Sequence, residues 1–343
     1  SSTPTMITSI RPMIRANSTT LPACPGRGTF MPKIDASSVS GSIAALNADK
    51  ARIVEELAWQ MGRPTRFGGE FGGLNERTDY MSRIAAEALA PMIVEETDRF
   101  ARRIEFAPQG VVFVIAPWNY PYMTAMNTIV PALIAGNAVM LKHASQTLLV
   151  GERIAEGLAK GGVPADVFQN VVLDHAGTEK LIADRSFGFV NFTGSVAGGQ
   201  AIERAAAGTF TGLGLELGGK DPGYVMEDAD IDWAVDVLMD ADLAGAVDSL
   251  MDGAMYNAGQ CCCGIERIYV NHRLFDEFVE KSVKWVNALK LGNPFDADTT
   301  LGPMANARFA RTVRAQTADA IAAGAKPLIE RQNFPADDGG TYL

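Results

Sequence analysis

Several chemistries are excluded by what the chain has little of. Four cysteines in 343 residues are too few for a disulfide framework, and three are consecutive, Cys261-Cys262-Cys263, with only Cys24 elsewhere. Neighbouring side chains point apart, so the triplet is not expected to cross-link itself. Its spacing is not that of a zinc site, whose ligands come in pairs two to four residues apart with further ligands downstream, so no metal is expected. Basic residues are short: 30 Lys and Arg stand against 40 Asp and Glu, a net charge of −10. That balance disfavours nucleic acid, which needs a basic face to neutralise phosphates. Long apolar runs are also lacking. Gly110–Trp118 and Ile129–Leu141 are too short to span a bilayer, and Pro131 and Asn137 interrupt the second. No acidic residue precedes Asp35, and the first 34 residues are rich in Ser, Thr, Pro and Arg. Such a segment reads either as a flexible basic arm or as an organelle transit segment. Free thiols imply a reducing compartment, hence a cytoplasmic location, with the mitochondrial matrix as the alternative.

What is present reads as two domains of alternating strands and helices. A hydrophobic share of 47% and a charged share of 20% are those of a globular chain, and the length exceeds one ordinary core. Helices are expected over Lys50–Met61, Glu76–Pro91, Pro121–Ala135, Leu148–Lys160 and Thr178–Asp184. The uninterrupted apolar run Gly110–Ala116 predicts a strand buried on both faces, and Ala138–Leu141, Val167–Leu173 and Phe187–Phe192 predict three more. Strands separated by helices argue for right-handed crossovers and a parallel sheet, with ligands beyond the carboxyl ends of the strands.

Informative residues follow those strands. Pro117-Trp118-Asn119-Tyr120-Pro121 comes after the first, and Lys142 and Ser145 after the second. Phe192-Thr193-Gly194-Ser195 leads through Gly198-Gly199 into a helix, which offers backbone N–H groups to an anion or makes a plain tight turn. Gly212-Leu213-Gly214 lacks the helix that a phosphate loop needs. In Leu215-Glu216-Leu217-Gly218-Gly219-Lys220 one carboxylate lies among apolar residues and glycine. Held there it becomes a base near neutral pH; the alternative is an acid facing solvent at a strand end. In Asn257-Ala258-Gly259-Gln260-Cys261-Cys262-Cys263 the thiols are either placed for reactivity or serve as small buried residues.

Taken together, these five motifs, in this order over 117–263, resemble the aldehyde dehydrogenase superfamily. ELAWQMGRP at 56–64 and LGPM at 301–304 extend the similarity, which runs from about Glu55 to Leu343. The resemblance implies an α/β fold, with a Rossmann-like parallel-sheet cofactor domain and an α/β catalytic domain. It implies NAD(P)-dependent oxidation of an aldehyde through a thiohemiacetal and a thioester on Cys262. Asn119, with the Cys262 backbone N–H, holds the oxyanion, and Glu216 activates the hydrolytic water. None of His143, His175 and His272 matches a catalytic position, which fits a carboxylate base and speaks against a cysteine protease. NAD or NADP is expected against Ala116, Pro117, Trp118, Lys142, Ser145, Gly194, Ser195, Gly199 and Leu217. Ser145 stands where NAD-preferring relatives often carry a glutamate, so NADP is accepted more readily. Tyr120, Thr124, Asn127, Cys261 and Cys263 line the aldehyde tunnel by resemblance. Small polar groups at 124 and 127 hint at a small polar aldehyde or semialdehyde, and helix packing explains them equally.

The expected domains are a partly disordered arm at 1–50, a dinucleotide-binding domain at 51–94 and 110–218, an oligomerisation hairpin at 95–109 and a truncated catalytic domain at 219–343. Members of the family usually continue past the position of Leu343, ending in a strand that pairs across subunits. Homo-oligomers are therefore a family trait, with a monomer or weak assembly expected for this chain. The duplication Asp228–Met239 and Asp240–Met251, identical at eight of twelve positions, is a further departure. One continuous helix would turn the second apolar face by ~120°, so the second copy is expected to pack and the first to bulge out. An enzyme and a catalytically impaired homologue acting as a structural or binding subunit are both compatible with these features.

Overall fold

A computed structural model describes residues 34–229 and 246–343. The chain divides into two units; of the described residues, the first holds 34–50 and 70–217 and the second holds 51–69, 218–229 and 246–343.

The first unit is built on a parallel sheet. Its strands are β3 (Val111–Ala116), β4 (Ala138–His143), β5 (Phe168–Val171), β6 (Phe189–Thr193) and β7 (Gly212–Glu216), in the order β5-β4-β3-β6-β7. Every residue of β3 and β4 is buried, as the apolar runs Val111–Ala116 and Ala138–Leu141 require of strands covered on both faces, and Lys142 and His143 at the end of β4 are buried with them. Helices α4 (Pro121–Ile134), α5 (Leu148–Lys160), α6 (His175–Ala183) and α7 (Val196–Ala206) make the crossovers. Phe113 stacks on Phe187 with ring centroids 4.3 Å apart at the middle of the core. The chain steps outward from β3 in both directions, so the order reverses between β3 and β6, and their carboxyl ends open the crevice where such sheets take ligands.

Within the amino-terminal arm, Ala36–Ala48 forms a helix, α1. Its Ser-rich sequence hides the helix, but Asp35 caps it by accepting from Ser38 N (2.8 Å), and Val39, Ile43 and Leu46 are buried. Gly41 meets the Gly161 backbone at the end of α5, which lets the two helices approach closely. Residues 51–69 group with the second unit. Thr65 N donates to Pro294 O (2.9 Å), and Trp59 packs on Phe295. Helix α2 (Lys50–Met61) therefore ends among carboxyl-terminal residues, whereas α3 (Phe71–Ala88) lies with the sheet. The hairpin of β1 (Met92–Glu96) and β2 (Ala101–Ile104) exposes Met92, Ile93, Val94, Phe100 and Ile104.

In the second unit β8 (Asp221–Val225) pairs in parallel with β9 (Ile265–Val270). Helices α8 (Ala246–Met255), α9 (Phe275–Asn287) and α10 (Ala307–Ala322) complete it, with Val225, Val247, Met251, Phe278 and Val286 buried together. Most of the duplication at 228–251, including the expected bulge of its first copy, lies outside the described residues, as does the basic segment before residue 34. From Ala246 onward the second copy is helical, with Val247 and Met251 in the core. Among the described residues no helix is long and apolar enough to cross a membrane.

Candidate active site

The cysteine triplet sits on a loop whose shape is set by the residues before it. Asn257, Ala258 and Gly259 are all left-handed, with φ of 55°, 55° and 69°. Left-handed backbone costs an alanine about 1 kcal/mol, so the loop must be held from outside. Four contacts hold it. The Asn257 amide nitrogen donates to Gln260 O (3.3 Å), and Gln260 Nε2 donates back to Asn257 O (2.9 Å). Buried Arg63 donates through Nε to Asn257 Oδ1 (3.4 Å), and Gln260 Oε1 accepts from Ala305 N (3.0 Å). Three motifs far apart in the chain, at 62–64, 257–260 and 301–304, thus meet beneath the thiols. Sequence reasoning assigned no role to Arg63 or Gln260; their membership in shared motifs was the only available signal.

Beyond this loop the chain turns, with Gly264 N donating to Cys261 O (3.4 Å). The turn overrides the alternation expected of neighbouring side chains. Cys261 and Cys263 sulfurs lie 3.2 Å apart, and all three fall within 4.8 Å of one another. Cys262 and Cys263 are exposed, which rules out the reading of the triplet as buried filling. The hydrogen bond to Cys261, then burial and the neighbouring thiols, push Cys263 up to about 12, so it stays protonated. Cys262 is tied through its backbone instead, its carbonyl accepting from Gly219 N (3.0 Å).

Asn119 lies just past β3, and its side-chain oxygen accepts from Tyr120 N (3.1 Å), which fixes which end of the amide donates elsewhere. The helix that follows, α4, has no cap of its own. Glu70 caps it from across the unit, its buried carboxylate accepting from Met123 N (2.8 Å). His143, at the end of β4, holds the same turn. Its Nδ1 accepts from Ala144 N (2.9 Å), which leaves the proton on Nε2 to donate to Pro121 O (3.2 Å). Neither Glu70 nor His143 was singled out as a positioning group from sequence, because both act across long separations. Thr124 and Asn127 bond within the helical layer, Thr124 to Tyr120 O (2.6 Å) and Asn127, with its amide turned, to Met123 O (3.3 Å) and Arg77 Nη1 (2.8 Å). Helix packing thus uses both polar groups.

Burial pushes His143 down to about 4, below its ordinary 6.5. The unfolded chain therefore takes up a proton between those values that the folded chain refuses. Stability is complete above pH 6.5 and falls as pH drops towards 4, by about 3 kcal/mol. Urea unfolding from pH 4 to 7 should show this slope, and His143→Leu should remove it; an unchanged slope in that variant would refute the assignment.

The carboxyl ends of β4 and β6 carry the groups suited to a dinucleotide. Lys142 is buried, which pushes its ammonium down from the ordinary range, and its Nζ donates to His143 O (3.4 Å). An ammonium has three N–H donors, so those beyond the one used on His143 fit a sugar hydroxyl or phosphate ligand. Ser195 caps α7 by accepting from Gly198 N (3.1 Å), and its hydroxyl hydrogen can still turn outward. Gly194 and Gly198 leave room for the Phe192 ring, and Gly199 for Leu217, since a Cβ at any of them would come within 2.7 Å of those side chains. Ala116 ends β3 in the core, Pro117 and Trp118 are half-buried beyond it, and Ser145 is exposed after β4. Glu216 ends β7, an edge strand, and is exposed, which is the solvent-facing one of the two placements open to it.

A sequence profile of the aldehyde dehydrogenase family matches residues 36–240 and 235–343. The chain belongs to the aldehyde dehydrogenase family. The two aldehyde dehydrogenase matches overlap at 235–240, inside the duplication at 228–251. Succinate-semialdehyde dehydrogenase [NADP(+)] 1 of Mycobacterium tuberculosis H37Rv is 36% identical over 220 residues, 64% of this chain and 46% of that protein. The chain thus spans about half the length of such relatives. The structure of succinic semialdehyde dehydrogenase from Streptococcus pyogenes with NADP+ is 26% identical with a TM-score of 0.84, covering 99% of this chain and 71% of that one. An NAD-dependent aldehyde dehydrogenase from Sinorhizobium meliloti is also 26% identical with a TM-score of 0.84, covering 98% and 64%.

Proposed function

We propose that the chain carries the cofactor site and the nucleophile of an NADP-preferring dehydrogenase for small polar aldehydes of the semialdehyde class. The observation that carries this reading is the exposed Cys262 on a loop held by Asn257, Gln260 and Arg63, with Gly219 bonded to its carbonyl. Gly219 lies three residues after Glu216 in the chain. The relatives' names favour NADP and a semialdehyde. Exposed Ser145 agrees, since no carboxylate stands there to repel a 2′-phosphate.

In this mechanism the Cys262 thiolate attacks the aldehyde carbon, forming a C–S bond and pushing the carbonyl electrons onto oxygen. The side-chain N–H of Asn119 and the backbone N–H of Cys262 hold that oxyanion. When bound, NADP+ supplies the two-electron oxidation that converts the adduct to a thioester. Lys142 would hold the adenosine ribose, and Ser195 with the start of α7 would face the pyrophosphate. Glu216 then takes a proton from water, which attacks the thioester, expels the Cys262 thiolate and releases the acid.

Rapid mixing of the protein with NADP+ and a short aldehyde panel tests the reading. A burst of reduced cofactor should appear, largest with succinic semialdehyde. Glu216→Gln should keep the burst and slow the steady state by roughly 10² to 10⁴. Cofactor binding without any burst would overturn the proposal in favour of a homologue that binds but does not turn over.

A further inference from the structure

We propose that the turn at Cys261–Cys263 is a three-thiolate site for a soft divalent cation such as Zn2+ or Cd2+. The spacing of the triplet in sequence argues against metal, but the turn removes that objection by gathering three sulfurs on one side of the backbone. A tetrahedral ion bonded to sulfur at about 2.3 Å needs its sulfurs about 3.8 Å apart. The observed separations lie near that value: Cys261 and Cys263 are at 3.2 Å, and no pair of the three sulfurs exceeds 4.8 Å. The Cys261–Cys263 pair therefore opens slightly and every other pair needs a change of no more than ~1 Å, a shift within the reach of small χ1 adjustments. The backbone beneath is held before any ion arrives, by Gly264 on Cys261, Gly219 on Cys262 and the Asn257–Gln260 pair.

The donor set chooses the class of ion. It is sulfur alone, with no histidine or carboxylate of the described residues in the group, which selects soft d10 cations over magnesium or calcium. Exposure of Cys262 and Cys263 lets the ion enter from solvent and leaves its fourth position to water. On binding, each thiol gives its proton to solvent and three sulfur–metal bonds form; nothing is oxidised or reduced. Because Cys262 is one of the three ligands, an occupied site withdraws the nucleophile and makes the cation a reversible off-switch. That consequence rests on the proposed dehydrogenase reading, whereas binding itself does not.

The test is titration of the full chain with Cd2+, read by thiolate-to-cadmium charge-transfer absorption. One ion per chain is expected, with intensity falling by about a third and affinity by more than about 10-fold in each of Cys261→Ser, Cys262→Ser and Cys263→Ser. Cys24→Ser should match the parent. Signal that survives both Cys261→Ser and Cys263→Ser, or that depends on Cys24, overturns the site. Alkylation followed by mass spectrometry needs no variant: Cd2+ should shield residues 261, 262 and 263 together and leave Cys24 reactive, and shielding of Cys262 alone overturns the proposal. Aldehyde turnover is not the readout, so a dehydrogenase assay that fails leaves this result standing.

Discussion

Cys262→Ala is expected to abolish the burst of reduced cofactor and to lower aldehyde turnover by roughly 10⁴-fold or more, the scale on which removal of a nucleophile acts. Cofactor affinity should stay within about twofold, because the groups expected to hold the dinucleotide, Lys142 and Ser195, belong to the first unit and Cys262 to the second. The same measurement separates Cys262 from its neighbour. Cys263 donates to or accepts from Cys261 and is pushed up to about 12, so at neutral pH it is a thiol and a poor nucleophile. A burst that survives in Cys262→Ala and vanishes in Cys263→Ala would reverse the assignment.

Gly302→Ala should destabilise the fold by roughly 3 kcal/mol or more, the range for a side chain forced into packed backbone. A Cβ at 302 would fall on the Gly62 carbonyl oxygen, and one at 62 would lie 2.6 Å from Pro303 O. Gly62 also has φ of +77°, which disfavours any side chain there. The two glycines are thus pressed back to back, and Arg63 reaches Asn257 from that junction. Gly72→Ala is the control: it sits inside α3 with nothing within 4 Å of its Cβ, and the change should stabilise by about 0.5 to 1 kcal/mol. Denaturant unfolding that shows the same midpoint for both variants would sink the argument.

The sheet was legible because β3 is apolar at every position and β4 is apolar over Ala138–Leu141. The ligand-facing motifs were legible because they end those strands, where the topology leaves backbone and side chains open. Helix α1 was not, since its serines and Gly41 read as coil until Asp35 and the surface of α5 are taken into account. Glu70 and Arg63 looked like ordinary charges; the partners that explain them lie 53 and 194 residues away. The cysteine cluster was hidden for a different reason. Alternation of side chains is a rule for strands, and the turn over Cys261–Gly264 is not one.

The two units are interleaved in the chain, which passes between them after Lys50, Gly69 and Leu217. Order of synthesis therefore matters. Once Leu217 has emerged from the ribosome, every strand of the five-stranded sheet is available. Residues 51–69 must wait for Pro294, Phe295 and Pro303, about 80 residues later, and at 5–20 residues per second that is roughly 4 to 16 seconds. For that interval the nascent protein carries a finished sheet while Trp59, Gly62 and Thr65 still lack their late partners, a window in which a chaperone has something to hold.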